Sequence, residues 1–414
     1  MNEREKDLLT PEEKERRQQV RERQRRQARE EKARKKKRAE RIKLIIGTVF
    51  VTLLTAAAVF IVFRYVFPSA DKPVEQPQTT TPSVEQTTEE ATTEEPTTAG
   101  TTSEYPELKS KNGTFSTYSS GAIRVDNAAF GVCGKENDGL TSKYAALVSE
   151  VADSLKGKTK VYDLVIPTAY GITLPDDIRR QIANYADQEE IISKIFAKLS
   201  KEVAPVYCCD NLMTHRDEYL YFRTDHHWNG RGAYYAYEAF CRTKGIEPYP
   251  LEKREKKEFD GFLGTMYQNN GRDENLLPAD TVEAFLPVSK NAVMKFTKTD
   301  GSTYEWPIIK DVSGWSSGAK YNTFAGSDNP ITEFTNPDVT DGSVLIVVKE
   351  SFGNALLPYL VDHYSKIYEI DYRYWSGNLV SFAEKVGADD ILFANHILMP
   401  STGLLVGNLS KIIK

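Results

Sequence analysis

The chain has 414 residues, 27% of them charged, and a formal net charge of −5, enough length for one or two domains. The charge is uneven: Met1 to Lys43 carry about +8 and the remainder about −13. An acidic body lacks the basic face a nucleic-acid platform needs, which excludes that class of partner.

Residues 1–43 are crowded with Arg, Lys, Glu and Gln. They read as a basic cytoplasmic tail that sets topology, with attraction to anionic lipid as a second role. Leu44 to Phe63, LIIGTVFVTLLTAAAVFIVF, holds no charge. About 20 apolar residues match the ~30 Å hydrocarbon core, and helix is the open structure that satisfies its own backbone in lipid. The sequence therefore predicts one transmembrane helix over 44–66. A cleaved signal peptide is the competing reading; the basic and apolar stretches are both too long for one, and no small-x-small site follows. Arg34 to Arg38, Arg41 and Lys43 precede the span while only Arg64 follows closely, which puts the N-terminus in the cytoplasm. Residues 67–104 are rich in Thr, Glu and Pro. Such a segment cannot bury enough surface to fold and is expected to be an extracellular linker.

From residue 105 to 414 the composition is globular. Thr141 to Lys156 has helical periodicity, with Tyr144, Leu147, Val148, Val151 and Leu155 on one face. Val161 to Ile166 reads as a buried strand, Asp176 to Glu202 as a helix, Ala204 to Cys209 as a short strand and Gly230 to Lys244 as a helix. Residues 248–321 break the rhythm and read as an insertion or irregular lobe. Ser343 to Val348 is the clearest buried strand, followed by a helix over Phe352 to His363 and strands at Ile367 to Ile370 and Asp390 to Ala394. Alternating strands and helices predict an α/β domain with a mainly parallel sheet. The four cysteines, Cys133, Cys208, Cys209 and Cys241, have no zinc-ribbon spacing. An extracellular site permits a disulfide, but spacing alone does not choose between a bridge and buried thiols.

Two short stretches carry chemistry. In Thr224-Asp225-His226-His227-Trp228-Asn229, an Asp two residues before a His can share one side of an extended segment. Its carboxylate can then orient the imidazole, which is the base half of a triad; a plain loop before a helix is the equal alternative. Ser351 follows a predicted strand and opens a predicted helix, at the carboxyl edge where α/β sites form. N–H groups of that helix can donate to an oxyanion. The competing reading makes Ser351 an ordinary N-cap.

Together, RTDHHWNGRGAYYAYEAF, VLIVVKESFGNALLPYL and IYEIDYRYW resemble the DHHW protein family of Gram-positive bacteria, related to alginate O-acetyltransferase proteins. The resemblance implies an SGNH-hydrolase-like three-layer domain with circularly permuted motif order. It implies a Ser-His-Asp triad in which Ser351 is the nucleophile, His227 the base and Asp225 its orienter, with His226 pointing away. Arg223, Trp228 and Arg231 would line or brace the site, and Tyr321, Asn322 and Arg373 fall in other family-like blocks. Glu350 stands where related families commonly have Asp. No cofactor is implied.

Four functions are then compared. The resemblance implies an extracytoplasmic O-acyltransferase, acting on a cell-surface glycopolymer with a multi-pass membrane-bound O-acyltransferase as partner. An esterase of wall polymers would use the same triad. A metal-dependent phosphoesterase would need spaced Asp and His ligands, which His215, His363 and His396 do not supply. A non-catalytic surface binding module is the fourth.

Overall fold

The computed structural model describes residues 105–413. The basic tail, the apolar segment and the linker lie outside the described residues. Among the described residues no helix is long and apolar enough to cross a membrane.

Apolar runs build the centre. The main sheet contains β1 Lys160–Ile166, β2 Val203–Pro205, β3 Val293–Thr297, β4 Thr303–Trp306, β5 Ile331–Thr335, β6 Val344–Lys349, β7 Lys366–Asp371 and β8 Asp390–His396. Their order in space is β2-β1-β8-β6-β7-β5-β3-β4. The pairings from β2 through to β7 are parallel, and those from β7 out to β4 are antiparallel. The fold is thus mixed α/β with a large, mainly parallel sheet. β8, the last strand of the chain, lies between β1 and β6.

Helices cover both faces, and β1 shows how. Successive strand residues point to opposite faces. Tyr162 meets Phe240, on α3 Gly230–Lys244, edge to face at 5.3 Å. Its neighbour Asp163 accepts a hydrogen bond from Tyr144, on α1 Asp138–Ser154. α1 also packs with α2 Gln188–Phe196, α4 Leu379–Val386 and α5 Gly403–Ile413. Strands covered on both sides must be apolar throughout, which is why LIVV and DILFAN show no alternation. Each main helix has a chemical start: Asn137, Asp187, Asn229 and Asn378 accept N–H groups at the first turns of α1 to α4.

Some elements differ from expectation. The predicted helix Asp176 to Glu202 is broken into Asp176–Arg179 and α2. Asn184 adopts a left-handed φ of 57°, and Asp187 starts the second piece by accepting from the N–H groups of Glu189 and Glu190. The predicted strand Ala204 to Cys209 ends at Pro205, which has no N–H for the ladder, and Cys209–Thr214 is helical. Phe352 to His363 is a series of short turns, Ser351–Ala355, Leu357–Leu360 and Val361–His363, rather than one helix; Pro358 cannot donate back to the preceding turn. Within 248–321, Lys256–Phe262 pairs with Asp280–Phe285 as a ribbon, while β3 and β4 extend the main sheet. The four cysteines are free and buried.

Candidate active site

The loop 223–229 and the turn after β6 come from distant parts of the chain and meet at the carboxyl edge of the sheet. The loop is bent, not extended, and it is held from outside. Asp280, on the ribbon, accepts hydrogen bonds from Thr224 N–H (2.7 Å), Thr224 Oγ1, Arg223 Nε (3.1 Å) and Tyr219 Oη (2.7 Å). Asn229 Oδ1 accepts from Gly230 N–H and from Glu283 N–H of the ribbon. These bonds aim the motif inward before α3 begins.

Asp225 Oδ1 accepts from the His227 backbone N–H at 3.0 Å and lies 2.6 Å from His227 Nδ1. Asp225 Oδ2 accepts from Thr265 N–H at 2.6 Å and Thr265 Oγ1 at 3.0 Å. His227 Nε2 lies 2.7 Å from Ser351 Oγ. Asp225 and His227 are buried. Burial alone would raise the Asp225 carboxyl, but the charge and hydrogen bond of His227, then His226 and the Thr265 N–H, outweigh it and hold the group well below the usual range. A carboxylate at Nδ1 fixes the proton there and leaves the Nε2 lone pair facing the serine hydroxyl. Chemically, the arrangement can take a proton from Ser351 Oγ and return it.

The serine turn is clamped on three sides. Glu350 caps it, Oε2 accepting from Phe352 N–H at 3.1 Å. Trp228 Nε1 donates to Phe352 C=O at 2.9 Å. Tyr321 Oη donates to Ser351 C=O at 2.9 Å, and its ring stacks on His227 at 4.0 Å. Phe352 N–H is engaged by Glu350, whereas Ser351 N–H lacks an acceptor among the described residues. Beneath the turn, fully buried Lys349 pairs with Glu369 at 2.7 Å and approaches Asp371 and Asp328. Burial would lower the Lys349 ammonium, but these carboxylates raise it above its usual value. Lys349 also donates to Asn354 of the turn, whose amide donates to Asp328.

The other predicted residues occupy different positions. Arg223 braces the loop through Asp280 and the Pro278 carbonyl. Arg373 binds Asp371 and Asp328 and so buttresses the turn at one remove. Arg231 pairs with Glu218 and Glu283, anchoring the start of α3. The Asn322 amide oxygen accepts from Ser327 Oγ. His226 does not point away. The bend at this loop cancels strand alternation, and the His226 ring lies 3.8 Å from that of His227 with Nδ1 on Thr265 Oγ1. Partial burial, then the neighbouring His227 charge, pushes His226 below its usual value, a push that water weakens because 41% of the side chain is exposed.

A small pocket of about 40 Å³ lies beside the turn, walled by Tyr170, Met266, Phe352 and Leu398, with His226 and His396 among its polar groups. His396 ends β8. Its Nδ1 lies 3.0 Å from Glu350 Oε1, and its backbone N–H donates to the same oxygen at 3.0 Å. Its ring stacks on Phe352 at 4.9 Å. Burial opposes ionisation of Glu350, yet His396 and two N–H donors hold its carboxyl below the usual range. Thr265, Asp280 and the Glu350–His396 pair escaped sequence reasoning. The partner that gives each its role is tens of residues away, and no local spacing marks it. Asp225, His226 and His227 offer donor atoms within 4.8 Å of one another, and these atoms are already bonded among themselves and to Thr265.

A family described as DHHW protein matches residues 70–370. The fold is similar to that of a DHHW family protein from Eubacterium siraeum DSM 15702, with TM-score 0.63 and 26% identity over 71% of this chain and 95% of that one. It is also similar to Bacillus cereus PatB1 solved with a sulfonyl adduct, with TM-score 0.57 and 16% identity over 73% and 98% of the two chains. A second PatB1 structure gives 0.56 and 17% over 70% and 98%. At such identities the likeness to PatB1 is one of fold. Among curated proteins none matches.

Proposed function

This chain belongs to the DHHW protein family, and on that footing we propose that it is an SGNH-hydrolase-like O-acyltransferase of permuted motif order. It works outside the cell on a surface glycopolymer, held by its N-terminal anchor beside a multi-pass membrane-bound O-acyltransferase. The observation that carries the reading is the unbroken relay Asp225–His227–Ser351, at 2.6 and 2.7 Å, at the sheet edge where α/β sites form. His227 takes the proton of Ser351 Oγ as the hydroxyl attacks the donor carbonyl, and the acyl group passes to Oγ with departure of the donor's leaving group. His227 hands that proton to the leaving group; an incoming hydroxyl then gives its own proton to His227 and takes the acyl group, and His227 returns the proton to Ser351 Oγ. The Ser351 N–H is the available backbone donor to the oxyanion. The sulfonyl adduct named for PatB1 adds support from fold likeness, since such an adduct forms on a nucleophile.

The experiment is a burst assay on the full chain with p-nitrophenyl acetate. Ser351→Ala should abolish the burst, a loss of about 10³-fold or more in rate, while circular dichroism stays unchanged. An unchanged burst in a folded Ser351→Ala protein sinks the assignment. Hydrolysis by the same relay is the second reading; product analysis with and without an added alcohol separates water from alcohol as acceptor.

A further inference from the structure

The His226 ring packs against that of the relay base, and its outer nitrogen has no partner among the described residues. Its Nδ1 lies 2.5 Å from Thr265 Oγ1. That hydroxyl already spends its single proton on Asp225 Oδ2, so toward His226 it can only accept. The proton between them therefore belongs to Nδ1, and Nε2 carries a bare lone pair. No described residue meets Nε2, and the ring, with 41% of its side chain exposed, lines the pocket beside the serine turn. The ring centre lies 3.8 Å from that of His227. His227 Nε2 thus serves the reacting serine, while His226 Nε2, on the adjacent ring, is idle.

Resting on the acyltransferase reading above, we propose that His226 Nε2 selects the acceptor, binding an O–H or N–H carried one or two carbons from the hydroxyl that attacks. Polyhydroxylated or amino sugars present such a pair, whereas water and simple alcohols do not. In the transfer step the acceptor's reacting hydroxyl gives its proton to His227 Nε2 as its oxygen bonds to the acyl carbon. The bond from that carbon to Ser351 Oγ then breaks, and the proton returns to Oγ. The second group stays on His226 and is not consumed. The apolar residues Tyr170, Met266 and Leu398 flank His226 in that pocket. His226 is thus a specificity-determining residue and not a member of the proton relay.

The test uses the full chain with p-nitrophenyl acetate as donor and two ring alcohols as acceptors, cyclohexanol and trans-cyclohexane-1,2-diol. The wild type should acylate the diol about fivefold faster per hydroxyl, the scale of one neutral hydrogen bond. His226→Phe should erase this preference, read as the ratio of the two acceptors' rates, and His226→Gln, which retains an acceptor oxygen, should keep part of it. A preference that survives His226→Phe, or is missing from a wild type that shows a burst, overturns the inference and leaves the acyltransferase reading standing. Loss of the burst in both variants overturns it too, since His226 would then serve the fold of the relay. A wild type without any burst removes both.

Discussion

At Gly264 a Cβ would lie 2.2 Å from Asp225 Oδ2 and 2.3 Å from its Cβ, distances no side chain can accept. The backbone must come this close because Thr265 N–H, the next residue, holds that same oxygen. Gly264→Ala should therefore push the carboxylate off His227 and slow the acetate burst by about 10²-fold, the scale of a displacement near 1 Å. Stopped-flow comparison with the wild type checks this, and an unaltered burst would mean the loop yields freely. A second residue governs pH dependence. Asp163 is fully buried, with one oxygen on Tyr144 and the other unpartnered. Burial raises it to about 7, although the Tyr144 bond pulls the other way. The unfolded carboxyl titrates near ~3.9, so the folded state holds the extra proton between these values. Its contribution to stability is full below about pH 4 and is lost as pH rises through about 7. Asp163→Asn keeps the bond from Tyr144 and removes the ionisation. Melting curves should show it less sensitive to pH between 5 and 8 than the wild type, and more stable at pH 8 by about 1–4 kcal/mol. Identical slopes would count against a proton held on Asp163.

The elements show where sequence reasoning reached and where it stopped. α3 runs from Gly230 to Lys244, the span expected from its Ala- and Tyr-rich sequence, because a strong cap at Asn229 and a left-handed Gly245 bound it. β6 and β8 were legible from unbroken apolar runs. The break at Asn184 was not, since a left-handed residue in a polar stretch leaves no trace in hydrophobic period. Asp225, His227 and Ser351 could be named from type and spacing. Their brace could not, because Asp280 gathers donors from Tyr219, Arg223 and Thr224 across more than fifty residues. Asp280 is 1% exposed and ties the ribbon to the motif loop. Asp280→Ala would strand the Arg223 charge and unpair Thr224 N–H at once. Urea unfolding should report a loss of about 3–5 kcal/mol. A loss below 1 kcal/mol would show that the ribbon is dispensable for holding the loop.

For the whole molecule, the segments outside the described residues set a separate expectation. The charge step across Leu44 to Phe63 predicts a cytoplasmic N-terminus and an external body. Protease applied to intact cells should remove an epitope at the C-terminus and spare one at the N-terminus; the reverse pattern would overturn the proposed topology. Within the body, strand order has its own outcome. β8, Asp390–His396, is the last strand made, yet it sits between β1 and the serine-bearing β6. Until it is synthesised, no backbone ladder joins the first part of the sheet to the strand that carries Ser351, and Glu350 lacks its partner His396. A chain that stops short of residue 390 would own all three relay residues and lack both the β8 ladder and the Glu350–His396 contact beside the nucleophile. Removal of the chain from residue 390 onward should therefore abolish the acetate burst, and a truncated chain that still bursts would show that the serine is seated without β8.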